Sequence, residues 1–174
     1  MPGIPDTYQG AEFWDFSLVD PDNRRPVDFS ARKIALAQHL SLDLLAESWR
    51  DGRIKQAVLR KLLRFRQSAS ALFSRGSYEP LAVQGSRAGN VLAFLRREGD
   101  AAMLVVAARS CAEGMTASDA LVPDQVWWAD TRIVLPEGFR PADAVLGPDL
   151  SADGLSLATA LPVVPVGVWA LQRA

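Results

Sequence analysis

The amino-acid sequence predicts an α+β protein, helical in its first half and built of antiparallel strands, as a β-sandwich, in its second. Residues 29–75 are rich in Ala, Leu and Arg, with apolar residues recurring at three- and four-residue spacing. Residues 77–174 are rich in Val, Ala, Gly and Pro and break into short apolar runs separated by turn signals. The change falls near Gly76 and divides the chain into 1–76 and 77–174. A length of 174 residues suits one domain or two small ones.

In chain order, Ile4 to Gln9 reads as a short strand between Gly3 and Gly10, with Pro5 suited only to a strand start or edge. Gly10 to Asp28 reads as one long loop, a length that in compact domains is functional or disordered. Phe13, Trp14, Phe16, Leu18 and Val19 argue against disorder, because they call for burial. Asp28 or Ser30 can cap a helix whose apolar face is Ile34, Leu36, Ala37 and Leu40. Ser41-Leu42-Asp43 can restart one, Asp51-Gly52 is a turn, and Ile54, Ala57, Val58, Leu62 and Phe65 mark an amphipathic helix that stops by Gly76. The strands expected beyond it are 79–83, 91–96, 102–108, 131–135, 143–146 and 166–171. Turns fall at Gly85, Gly89, Gly99, Gly138, Gly147 and Gly154.

Composition narrows the function classes. Hydrophobic residues make up 49% and charged residues 22%, with 19 Lys+Arg against 20 Asp+Glu. That balance disfavours a globally basic nucleic-acid binder. The basic run Arg50, Arg53, Lys55, Arg60, Lys61, Arg64, Arg66 lies largely opposite the apolar stripe and reads as a solvated helix face. A single cysteine, Cys111, and a single histidine, His39, leave no cysteine or histidine metal site, and no metal or organic cofactor is implied. No apolar run approaches the roughly 18–20 residues of a membrane helix. Residues 1–6 carry no signal-peptide pattern, so the expected location is the cytoplasm.

One strand with no partner among the helices, then a long loop, then helices, is hard to close alone. It is the order of a strand, active-site loop and helix in a (β/α)8 barrel. Residues 1–76 therefore read as the last βα unit of a barrel whose other units are absent.

The residues of that segment carry a resemblance. Gly3-Ile4-Pro5-Asp6-Thr7-Tyr8-Gln9-Gly10-Ala11-Glu12 resembles the eighth-strand segment of the α-amylase superfamily of glycoside hydrolases. The run from Phe13 to Asp28, with Trp49 to Lys55 and Leu72 to Leu81, is similar to the maltooligosyltrehalose synthase family. The likeness covers most of the chain and fades after about residue 110. It implies a C-terminal portion of an enzyme that isomerises the reducing-end α-1,4 bond of maltooligosaccharides to an α,α-1,1 bond. The implied mechanism is a retaining one with two carboxyl groups, in which exclusion of water separates transfer from hydrolysis. The superfamily's catalytic carboxylates precede this segment, the third in an Asn-His-Asp motif. Here His39 is followed by Leu40, so no catalytic residue carries over and the chain alone is expected to be inactive.

The resemblance implies substrate contact by Asp20 and Arg24, with Asn23 and Arg25 in the same loop. A carboxylate and a planar guanidinium are strong partners for sugar hydroxyls. The other reading is a loop stapled by its own Asp–Arg pairs. Tyr8, Glu12 and Trp14 can line a cleft mouth, or the two aromatics can simply cover a barrel end. Trp127-Trp128 reads as core at one member at least, since strand neighbours face opposite ways. Cys111 has no base nearby in sequence and His39 reads as structural. The expected partners are a maltooligosaccharide and the missing barrel portion, in cis or in trans, with no nucleic acid and no membrane. A stand-alone carbohydrate-binding module and one half of a split enzyme are the alternatives.

Overall fold

The computed structural model describes residues 7–117, 119–150 and 155–173. The chain is α+β with antiparallel sheets and forms two compact units, Met1–Lys61 and Leu62–Ala174. The division lies inside a helix.

The first unit holds a 3-10 turn at Asp22–Arg24, helices α1 (Phe29–Gln38) and α2 (Leu42–Ala46), a second 3-10 turn at Trp49–Asp51, and the first half of α3 (Arg53–Ser68). The Asp28 carboxylate accepts from the Ala31 N–H at 2.9 Å and caps α1, and the Ser41 hydroxyl accepts from Leu44 N–H at 3.3 Å and caps α2. Caps of this kind contribute about 1 kcal/mol each. Part of the strand expected over 4–9 falls on residues 4–6, outside the described residues. From Tyr8 the chain turns, with Ala11 N–H donating to Tyr8 O and Phe13 N–H to Gly10 O.

Two expectations of burial fail in this unit. Phe16, Leu18 and Val19 are 90%, 76% and 83% exposed, because residues 15–26 bond mainly to one another and lay no side chain on a core. Helix α1 buries none of its residues, and Ile34, expected on its apolar face, is 61% exposed. The stripe on α3 fares better: Ile54 is buried and Val58 half-buried. The basic face of α3 is solvated only in part. Lys61 and Arg64 are exposed, whereas Arg53 reaches Asp51, Gln38 and Ser48, and Arg60 donates to Leu36 O.

Among the described residues the second unit takes the end of α3, α4 (Ser70–Arg75), α5 (Leu157–Ala160) and eight strands: β1 (Glu79–Pro80), β2 (Val83–Gln84), β3 (Val91–Glu98), β4 (Ala101–Ala108), β5 (Arg132–Ile133), β6 (Phe139–Leu146), β7 (Leu155–Ser156) and β8 (Val166–Arg173). Helix α4 stops where the Gly76 N–H donates to Leu72 O, and a Cβ on Gly76 would collide with that carbonyl. One sheet has the order β1-β3-β4-β8-β6 and the other β2-β5-β7, with every pairing antiparallel. The single strand expected over 79–83 is two, one for each sheet. Pro80, with no N–H to give, sits in edge strand β1. β6 begins four residues before the expected 143, and β7 was not foreseen.

Alternation builds the core. Val91, Ala93 and Leu95 of β3, Ala102, Leu104 and Val106 of β4, and Trp169 and Leu171 of β8 join Ile133, Leu155, Leu157 and Trp128 in one cluster. Leu95, Leu104 and Trp169 lie in one cross-strand row. Each large side chain buried there contributes about 1.5–3 kcal/mol. A Cβ on Gly167 would collide with the Trp169 ring, so glycine makes the room this row needs. Trp127 and Trp128 lie on a 3-10 turn, Gln125–Trp128, rather than a strand; Trp128 is core and Arg87 lies over Trp127 at 4.5 Å. Cys111 is buried and its thiol donates to Arg109 O at 3.1 Å; desolvation pushes its pKa up, which favours the thiol over the thiolate.

Candidate functional site

The loop with the expected substrate residues rests on a base made by α1 and the start of α3. Gly10 and Gly52 both have positive φ, 86° and 84°. At Gly52 the front loop passes so close that a Cβ would stand 2.8 Å from both Phe13 Cβ and Trp14 N. Only glycine meets both demands, conformation and space.

Three side chains then fix the loop. Arg32 is central: Nε donates to Glu12 Oε2 at 3.1 Å, one terminal nitrogen to Gly10 O at 2.6 Å and the other to Asp28 O at 3.0 Å. Its guanidinium also lies 4.8 Å from the Phe13 ring centre. Lys55 Nζ donates to Phe13 O at 3.1 Å and lies 5.4 Å from the Trp14 ring. Trp14 Nε1 donates to Trp49 O at 2.6 Å, and the two indoles meet edge to face. Charge-assisted bonds to backbone carbonyls are among the stronger ones, about 1.5–3 kcal/mol each. Beneath them Gln56, 5% exposed, donates to Arg32 O at 3.2 Å.

Glu12 and Trp14 are thus half-buried parts of the base, and Tyr8 is 44% exposed beside it. The stretch 15–26 closes on itself. Ser17 N–H and hydroxyl both donate to Asp15 Oδ1 and hold that carboxyl below its usual range. Leu18 N–H donates to Asp22 Oδ2 at 2.8 Å. Asp20 pairs with Arg24, and Asp22 with Arg25. Side-chain exposures of 55% for Asp20 and 71% for Arg24 put their pair in solvent. Such pairs contribute little, about 0–1 kcal/mol, so hydroxyl groups can replace either partner at small cost. Asn23 Oδ1 is shielded from solvent and unpartnered among the described residues. Asp20, Asn23, Arg24 and Arg25 therefore lie together in one short loop, while Glu12 and Trp14 belong to the anchored segment before it.

Sequence reasoning missed the anchors. Arg32 lacked any local motif, Lys55 stood inside a basic run that reads as solvated, and Gln56 resembles any helix polar residue. The signal for them is three-dimensional: each reaches a carbonyl 22 to 42 positions away. No cluster of three or more His, Cys, Asp or Glu suited to a metal occurs among the described residues.

In architecture, then, this is an α+β chain whose likeness is to a portion of a larger enzyme; no family model matches it. Proteins named maltooligosyl trehalose synthase from two strains of Mycobacterium tuberculosis are 36% identical to it over 170 residues, 94% of this chain and 18% of theirs. A point variant of the maltooligosyltrehalose synthase from Arthrobacter ramosus has a solved structure that matches with a TM-score of 0.69 and 31% identity. That match covers 99% of this chain and 20% of the other. The chain is therefore similar, over nearly all of its length, to part of maltooligosyltrehalose synthase, and spans under a fifth of the curated relatives it matches. No helix among the described residues is long and apolar enough to cross a membrane.

Proposed function

We propose that this chain supplies the C-terminal portion of a cytoplasmic maltooligosyltrehalose synthase. In this reading residues 1–76 are the last βα unit of the catalytic barrel and 77–174 a β-sandwich that stabilises it. The whole enzyme isomerises the reducing-end α-1,4 bond of a maltooligosaccharide to an α,α-1,1 bond. The catalytic carboxylates come from the part of the enzyme this chain does not contain, and the chain alone is inactive. The near full-length match to under a fifth of named synthases carries the reading.

The contribution of this chain to substrate is the loop 20–25. Asp20 and Arg24 exchange their solvent-exposed pair for sugar hydroxyls, with Asn23 and Arg25 beside them and Tyr8, Glu12 and Trp14 at the cleft mouth. Arg32 and Lys55 act as positioning residues: they hold the backbone from which these side chains project.

The test is complementation. The chain is mixed with the remaining portion of a Mycobacterium tuberculosis relative, and maltohexaose is followed for loss of reducing ends. The expected result is no conversion by either part and conversion by the mixture. Within that mixture Asp20→Asn raises KM about tenfold or more, as loss of a charged partner to hydroxyls does. Conversion by this chain alone, or a complex that leaves maltohexaose untouched, overturns the reading.

A further inference from the structure

The first unit contains an open groove of about 320 Å³ lined by Glu12, Phe29, Arg32, Lys33, Leu36 and Gln56. Phe29, Arg32, Lys33 and Leu36 stand at positions i, i+3, i+4 and i+7 of α1, so they form one helix face. That face is half apolar and uncovered: Phe29 is 50% and Leu36 39% exposed. Arg32 and Glu12 are committed to each other and Gln56 to a backbone carbonyl. Lys33 makes no ion pair among the described residues, so the groove presents one uncompensated cation between two apolar side chains.

We propose that this groove seats an amphipathic helix from the part of the synthase that this chain does not contain, with apolar residues against Phe29 and Leu36 and a carboxylate on Lys33. The inference rests on the complementation reading above. Three observations select the occupant. A helix of ten residues that buries none of them does not hold itself by packing. The groove runs along a helix, which suits a second helix laid into it. And about four-fifths of each matched relative lies outside the matched region, which is ample chain to provide one. A second copy of this chain fits less well, because it would bring another Lys33 to the same face.

The full chain and the remaining portion of the Mycobacterium tuberculosis relative are titrated together by calorimetry, with Lys33→Glu and Leu36→Ser compared with the parent. Both side chains are exposed, and circular dichroism checks that the variants keep their helices. Each substitution is expected to raise Kd about tenfold or more, with Lys33→Gln in between. A photo-crosslinker at position 33 should capture a helical peptide bearing Asp or Glu. Kd values within twofold of the parent, or capture of this chain by itself, overturn the groove assignment. A complex that forms through the groove yet makes no trehalose-ended product overturns the functional reading alone. Product formed with parent affinity by Lys33→Glu overturns the groove alone.

Discussion

The two units are held by different forces. Among the described residues, the buried hydrophobic ones of the first unit are Leu45 and Ile54; Leu72 and the rest lie in the second. The first unit instead presents Tyr8, Phe16, Leu18, Val19, Phe29, Ile34, Leu36 and Leu44 to solvent. Its order comes from charged and polar side chains tied to backbone carbonyls: Arg32, Lys55, Trp14, Gln56. Those bonds fix geometry, but net of their competition with water they contribute about 1 kcal/mol apiece when neutral. Burial in the sheets contributes about 1.5–3 kcal/mol for each large side chain, and without a partner's direction. The sheet unit thus has what a free-standing fold needs. The loop-and-helix unit has a shape specified by staples and an apolar surface left over.

The sharpest way to break this contrast is at Trp169. Its indole fills the row between Leu104 and the bulk made free by Gly167, and its Nε1 donates to Pro148 O at 2.8 Å. Trp169→Ala should cost about 3–5 kcal/mol, read as a lower urea midpoint by far-ultraviolet circular dichroism. A loss under about 1 kcal/mol would mean that the cluster is not what stabilises the sheets.

Gly52→Ala probes the other unit. The new Cβ meets Phe13 and Trp14 at 2.8 Å, and alanine resists φ 84°. About 1–3 kcal/mol should be lost, and only locally. Hydrogen exchange should quicken over residues 8–14 and 29–38 while residues 91–108 keep their protection. Equal loss in both would dissolve the distinction between the units.

The sequence is legible where one rule decides the outcome. The long strands β3, β4 and β8 show themselves as apolar runs between turn signals, and in β3 the alternation also fixes the face, since a one-residue slip would turn Val91, Ala93 and Leu95 outward. The caps Asp28 and Ser41 and the turn at Gly52 are equally local. Burial of Phe16, Leu18 and Val19 follows from side-chain type and that of Ile34 from a helical face, and both presume that the cover is in the same chain. The loop residues Asp20, Asn23, Arg24 and Arg25 were visible as a motif, and their mutual pairing was one of its two readings. Arg32 and Lys55 were illegible, because a cation near a solvated face and a cation aimed at a distant carbonyl have the same spelling.

The smallest expected effect concerns the turn from which α3 begins. Burial pushes Asp51 up, but the Arg53 amide, 2.9 Å from one carboxylate oxygen, and the Arg53 Nε, 2.8 Å from the other, outweigh it and hold the group below its ordinary value of 3.8. A depressed carboxyl contributes stability that is fully present above 3.8 and is lost as pH falls through the lower, folded value. Asp51→Asn removes that component. The stability difference between parent and variant should therefore be constant from neutral pH to about 5 and shrink below 3.8. Asp130 in the sheet unit is also lowered, by the Ser86 amide and hydroxyl, so acid alone weakens both units. The variant separates them: in hydrogen exchange at pH 6, residues 53–61 should lose protection and residues 101–108 should not. A parent–variant difference that persists unchanged at pH 3 would show that Asp51 acts through shape rather than charge, and that the staple at this turn is not electrostatic.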